Sequence, residues 1–290
     1  MYKTAPPTLT EPYPQMSPDT CSGVLELLSA ALDEKGQVAQ IARLLEHQPI
    51  LNYTYTAGQT FWRARRLDQG ARFEHESDLL WPPTSSAAGR AHREGTPMLY
   101  VAAKRDTALA ECDAQSGDQF QMVGIRINPN AHAGLIPLGE IFHVQRTGIS
   151  LTGSAEYSRI IDGLLNVSNR ASAEGIVYVD AFLEDAFSKP NNHGLTGILA
   201  ERLFAKAAWP DGILYPSVKQ KGGRNVAIRP AAFGERWDTV SCSVVRVKKA
   251  LGLGMFDTEY LAHADGIFTD RRLKWAAGPP SQVAHIEWRY

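Results

Sequence analysis

Pro97-Met98-Leu99-Tyr100-Val101-Ala102, Thr107-Ala108-Leu109-Ala110-Glu111 and Phe120-Gln121-Met122-Val123-Gly124-Ile125-Arg126-Ile127 follow one another closely, and their reading decides the fold class. The first is a short apolar run of strand length. The second sits in a helix expected to start with Asp106 as its N-cap and to run to about Ala114. The third alternates, with Val123, Ile125 and Ile127 on one face and Gly124 and Arg126 on the other, which predicts a half-buried strand.

Outward from this core, Thr60–Arg66 reads as extended, and a polar loop from Asp68 to Gly95 carries Pro82 and Pro83. Gly175–Val179 and Gly212–Tyr215 read as buried strands, with a helix between them over Leu195–Ala208 that turns Leu195, Ile198, Leu199 and Leu203 inward. Ser154 caps a helix whose stripe is Tyr157, Ile160, Ile161, Leu164 and Leu165. Asn225–Ile228, Val240–Val247 and Ala284–Trp288 are further strand candidates. Between Val24 and Leu45, apolar residues at helical spacing (Leu27, Leu28, Ala31, Leu32, then Ile41, Leu44, Leu45), interrupted at Lys35-Gly36, predict two short amphipathic helices that pack on the chain's own core. Residues 1–20 are rich in Pro and Thr and are expected to be poorly ordered. Short strands at irregular spacing, without a helix at every step, predict an α+β fold with a mixed sheet core, flanking helices and an N-terminal helical extension.

Bulk properties exclude several function classes. The chain has 290 residues, 44% hydrophobic and 21% charged, an ordinary globular balance that needs neither disulfide nor metal to hold a core. A formal charge of −1 and a pI near 6.7 give no reason to expect a nucleic-acid partner. Cys21, Cys112 and Cys242 are sparse, odd in number and without a CxxC pair, which suits a reducing compartment. There is no signal-peptide core near Met1 and no stretch of membrane-span length, so the expected location is cytoplasmic, although an effector exported by another route would look the same.

Most motifs tested fail. Gly252-Leu253-Gly254 starts like a dinucleotide fingerprint, but Asp257 stands where the third glycine belongs. Gly148 to Gly153 misses the nucleophile-elbow spacing by one residue. The histidines form no HExxH pair, so no metal site is expected. Cys112 beside Glu111 lacks a partner histidine nearby and reads as a small packed residue.

Four segments survive: Phe61-Trp62-Arg63-Ala64-Arg65; Gly89-Arg90 through Gly95 to Leu99-Tyr100; Thr107–Glu111; and Asp211-Gly212-Ile213-Leu214-Tyr215-Pro216-Ser217. Singly, each has an ordinary explanation: Arg63 as a solvated cation, Tyr100 as a core aromatic, Glu111 as an exposed helix carboxylate, Ser217 as a turn residue. Together, in order and spacing, and with Gly222-Gly223-Arg224-Asn225-Val226 after them, they resemble the RES domain from about Phe61 to Pro230. His92 stands where that family usually has Asn, and Arg65 and Arg66 crowd the first motif.

The resemblance implies an ADP-ribosyltransferase-like fold over residues 56–235, preceded by a tail and helical extension over 1–55 and followed by a C-terminal extension over 236–290. It implies an NAD-degrading toxin that cleaves the nicotinamide–ribose bond by hydrolysis or phosphorolysis, with NAD as substrate and no other cofactor. The alternatives are a mono-ADP-ribosyltransferase acting on a protein acceptor, and an inactive RES-like module that binds a nucleotide or partner. Glu111, Arg63 and Ser217 carry over as the name-giving catalytic residues. Arg63, Tyr100, Arg90 and Ser217 carry over as the NAD-binding set. An Xre-like antitoxin is the partner the resemblance implies; oligomeric state is left open.

Overall fold

The computed structural model describes residues 16–81, 87–207 and 209–277. In chain order its elements begin with α1 (Pro18–Ala30), α2 (Glu34–His47), β1 (Tyr53–Tyr55), β2 (Thr60–Arg66), α3 (Glu76–Leu80), β3 (Leu99–Ala102) and α4 (Arg105–Glu111). They continue with β4 (Gln119–Ile127), β5 (Ala133–Pro137), α5 (Glu140–Thr147), α6 (Ala155–Val167), α7 (Arg170–Ser188) and α8 (His193–Lys206). The last are β6 (Gly212–Pro216), β7 (Arg224–Ile228), β8 (Trp237–Gly252), β9 (Met255–Ile267) and β10 (Leu273–Trp275). Parallel and antiparallel pairs both occur, and helices and strands are not regularly alternated, so the fold is α+β with a mixed-sheet core.

Two compact units divide the chain. One comprises the residues up to Thr54, with Ala87–Thr96 and Gly134–Tyr215; it is mainly helical. Helices α1, α5, α6 and α8 pack on α7, and β5 pairs in parallel with β6 (Leu135 opposite Gly212, Ile136 opposite Ile213). Leu51, Ile141, Val144, Ile161, Leu164 and Ile176 form one of its apolar clusters. Buried Asp180 on α7 accepts from the amides of Gly139 (3.2 Å) and Phe142 (2.9 Å), satisfying the start of α5 from outside.

The other unit, built from Tyr55 onward to residue 81, Pro97–Ala133 and Pro216 to residue 277, is a sheet in the order β7-β3-β2-β4-β8-β9-β10, with antiparallel neighbours. Helix α4 covers one face: Ala108 and Leu109 pack with Trp62, Ala102, Phe120, Met122, Val245 and Val247. Facing residues on paired strands point to one side, so Trp62, Ala64 and Met122 look toward α4, while Arg63, Arg65 and Gln121 look away from it.

The amphipathic N-terminal helices, β2, β3, β4, β7, β8, α6, α8 and the Gly212 strand are those expected from the sequence. Ser154 caps α6 as expected, accepting from the Tyr157 amide at 3.4 Å. Other expectations are corrected. Gly175–Val179 is not a strand but the middle of α7; Asn169 caps that helix, and Ser172, Gly175, Ile176, Val179 and Leu183 recur at helical spacing on its buried side. Helix α4 starts at Arg105 after Lys104, with Asp106 inside its first turn rather than at the cap, and it ends at Glu111 rather than near Ala114. Strand β4 is buried along almost its whole length, Gly124 included, because it is interior to the sheet and both its faces are covered. Leu27 is exposed on α1 and Leu32 lies exposed beyond its end, so the apolar stripe of the first helix is narrower than its composition suggests. Within the Pro-rich start, Ser17 caps α1 with its side chain and Pro18–Thr20 are helical; residues 1–15 and the strand candidate Ala284–Trp288 lie outside the described residues. The expected polar loop after Asp68 includes α3. Gly252-Leu253-Gly254 is the tight turn between β8 and β9, with φ of 84°, 54° and 73°, which accounts for its glycines without a nucleotide. No helix among the described residues is long and apolar enough to cross a membrane.

Candidate active site

Glu111 is the last residue of α4, and its position follows from a compact helix whose Thr107-Ala108-Leu109-Ala110 run is buried. The chain leaves that helix through Asp113, held in the left-handed region at φ 50°. Four contacts brace the exit: Arg66 donates to the carbonyls of Cys112 (3.0 Å) and Asp113 (3.3 Å), Arg66 pairs with Asp118, and Lys219 Nζ lies 2.7 Å from Asp113 Oδ1. Glu111 is therefore projected from a short, braced helix end rather than from a mobile loop.

Two side chains converge on one oxygen of that carboxylate. Ser217, directly after the last residue of β6, donates its hydroxyl to Glu111 Oε1 at 2.6 Å. Asn225, near the start of β7 and 5% exposed, donates Nδ2 to the same oxygen at 2.7 Å. The Ser217 hydroxyl is itself oriented, because its oxygen accepts from the amides of Gln220 (3.0 Å) and Lys219 (3.2 Å). Both donors thus fix Oε1, while Oε2 carries no hydrogen bond among the described residues. Bonds to an ionised acceptor are about twice as strong as neutral ones, so the carboxylate is held by one edge and offers the other.

Tyr100, half-buried at the second position of β3, faces the same side of the sheet as Ala102, and hence the side that α4 covers. Arg63 comes from the opposite side. The ladder between β2 and β3 is confined to the pair Trp62–Ala102, and beyond it the Arg63 guanidinium bonds across to the Tyr100 carbonyl (Nη1, 3.0 Å). Its Nε donates to the Leu79 carbonyl in the last turn of α3 (2.7 Å), an oxygen shared with Arg65 Nε at 3.1 Å. Burial, and next the neighbouring cation of Arg65, lowers the Arg63 pKa to about 10, which leaves it charged at neutral pH. Two of its five N–H groups are committed to backbone carbonyls; the guanidinium is pinned while keeping donors to spare.

The structure therefore brings Glu111 and Ser217 into direct contact and ties Arg63 to the Tyr100 backbone. Arg90 belongs to the helical unit, where its Nη1 donates to the carbonyls of Phe187, in the last turn of α7, and of Lys189, just past it, both at 2.8 Å. His92, in the same unit, is buried, and that burial, together with His193, lowers its pKa. Cys112 donates to the Ala64 carbonyl at 3.4 Å, and burial raises its pKa against the pull of Arg63 and Arg66, which disfavours the thiolate. Sequence reasoning gave no role to Asn225. A polar residue opening the buried run Asn225-Val226-Ala227-Ile228 was the available signal, since a buried amide needs a partner. Among the described residues no group of three or more His, Cys, Asp or Glu side chains is placed to hold a metal.

No curated protein and no solved structure matches the chain. The family model of the RES domain matches residues 60–241, which is more than half of the sequence and includes Arg63, Tyr100, Glu111, Ser217 and Asn225. The chain belongs to the RES-domain family.

Proposed function

We propose that the protein cleaves NAD at the bond between nicotinamide and ribose. The RES domain is known as an NAD-related toxin domain, which supplies the substrate class. The observation that carries the reading is the Glu111 carboxylate, fixed through Oε1 by Ser217 and Asn225 and open at Oε2.

Departure of nicotinamide breaks the bond from the ribose anomeric carbon to the ring nitrogen. The electron pair leaves with nicotinamide, and positive charge develops on the sugar. A preorganised carboxylate beside that charge stabilises the transition state more than the ground state. In hydrolysis, water then adds to the anomeric carbon and Glu111 Oε2 receives its proton, giving ADP-ribose. In phosphorolysis a phosphate oxygen takes the place of water. The spare donors of Arg63 suit the diphosphate, for which a planar fork is better matched than an ammonium. Tyr100 offers an aromatic face to nicotinamide or the ribose. Toxicity through NAD depletion and neutralisation by an Xre-like antitoxin belong to the same proposal.

Incubation with NAD labelled separately in nicotinamide and in the adenylate, with and without phosphate, tests the reading and identifies the acceptor. Free nicotinamide with free ADP-ribose indicates hydrolysis, a phosphate-dependent rate indicates phosphorolysis, and adenylate label on protein indicates transfer. Absence of nicotinamide release both with and without phosphate refutes the proposal.

A further inference from the structure

We propose that Gln220 is a positioning residue that fixes Ser217 against Glu111, and that the turn between β8 and β9, beyond the stretch matched by the family model, holds Gln220 in place. The inference rests on the reading of Glu111 and Ser217 above and extends it to a segment with no assigned role. All four polar groups of Gln220 are engaged. Its side-chain oxygen accepts from the hydroxyl of Thr107, a fully buried residue one helical turn before Glu111 on α4. Its side-chain nitrogen donates to the Gly254 carbonyl at 2.6 Å. Its amide donates to Ser217 Oγ at 3.0 Å, and its carbonyl accepts from the Gly223 amide at 2.9 Å. The Ser217 amide in turn donates to the Gly223 carbonyl at 2.9 Å, closing the loop.

Only a carboxamide serves both side-chain partners, because Thr107 supplies a donor and Gly254 presents an acceptor. Glutamate would set an anion against the Gly254 carbonyl, and leucine would leave both partners unpaired. The glycines confirm how closely the side chain is enclosed. A Cβ on Gly254 would lie 2.6 Å from Gln220 Cγ and 2.7 Å from its Nε2, and one on Gly223 would lie 3.0 Å from both Gln220 Oε1 and Thr107 Cγ2. Gly252, at the other end of the same turn, has a comparable φ of 84°, but a Cβ there meets nothing within 4 Å. The chain has thus left room for Gln220 at the turn residue that touches it.

The pair of glycines provides the test. Full-length Gln220→Leu, Gly254→Ala, Gly252→Ala, Ser217→Ala and the Gln220→Leu/Ser217→Ala double variant are compared for nicotinamide release and for amide hydrogen exchange at residues 219 and 220. Gly252→Ala and Gly254→Ala place alanine at similar positive φ, so backbone strain is common to both and only Gly254→Ala displaces Gln220. Gln220→Leu and Gly254→Ala are expected to lower kcat by about tenfold to a hundredfold, the cost of misplacing a reacting group by about 1 Å, with KM nearly unchanged. Both are expected to speed exchange at residues 219 and 220, while Gly252→Ala does neither. Gln220→Leu adds nothing further to Ser217→Ala, since the group it positions is already gone. Additive losses in the double variant, or equal effects of the two glycine substitutions, overturn the proposal and leave Gln220 a plain stability contact. If the wild-type chain releases no nicotinamide, the enzymatic reading fails by itself. The exchange data then still decide the clasp: protection lost in Gln220→Leu and Gly254→Ala but kept in Gly252→Ala upholds it, and protection unchanged in all three refutes it.

Discussion

Replacing Asn225 by alanine removes one of the two donors on Glu111 Oε1 and leaves the other, the Ser217 hydroxyl, in place. A hydrogen bond to a charged acceptor contributes about 1.5–3 kcal/mol, and each ~1.4 kcal/mol in the barrier is tenfold in rate. Full expression of that bond in the transition state therefore means a loss of roughly 10- to 150-fold in kcat. The surviving bond from Ser217 at 2.6 Å keeps the carboxylate anchored, which places the expected loss near tenfold. Stability falls too, by about 1–3 kcal/mol, because a 5% exposed amide leaves a void and its partner loses a donor. The assay is the initial rate of nicotinamide release at saturating NAD, with the urea midpoint measured on the same preparations. A rate that falls only in proportion to the unfolded fraction, or does not fall, refutes the role assigned to the Asn225–Glu111 bond.

Arg63→Lys is expected to raise the KM for NAD about tenfold or more, since one ammonium cannot reproduce a fork that serves the Leu79 and Tyr100 carbonyls and still offers donors; steady-state kinetics with a melting curve checks this. Burial pushes the Asp180 carboxyl up to about 7 against the pull of the Phe142 and Gly139 amides, so the folded chain holds this proton more tightly than the unfolded chain, whose ordinary value is 3.8. Its contribution to stability is fully present below that ordinary value and is lost as pH rises toward 7; Asp180→Asn, which does not titrate, is expected to flatten this part of the pH dependence of the urea midpoint. Gly124→Ala would set a Cβ 2.3 Å from Ser241 Oγ and 3.0 Å from Thr60 Cγ2, inside the sheet, and is expected to cost about 1–3 kcal/mol in chemical denaturation.

The elements nearest the site were legible because their local signals agree with their final environment. The strands carrying Arg63, Tyr100 and Asn225 are short runs of apolar or alternating residues, and α4 combines good helix formers with a buried face. Gly175–Val179 misled because Ile176, Val177 and Val179 are β-branched; only the wider window from the Asn169 cap shows the helical recurrence through Leu183. Strand β9 escaped notice because most of its residues are only half-buried, leaving little alternation to read, and its pairing with β8 is a tertiary fact. Family resemblance, not spacing, placed Glu111 and Ser217 in one site, and their direct contact is a finding of the structure. The residues that orient them are farther from reach: Asn225 meets Glu111 across 114 positions, and Gln220 meets Gly254 across 34. No sequence period encodes such pairings.

The most direct test of the central claim is release of nicotinamide from ring-labelled NAD by the purified chain, measured beside Glu111→Gln. The substitution keeps the shape of the side chain and removes its charge. Release by the wild-type chain, reduced by about 10²–10³-fold in the variant, is the expected result, the usual consequence of removing one preorganised electrostatic group. Equal rates in the two proteins, or no release by the wild-type chain, would contradict the account.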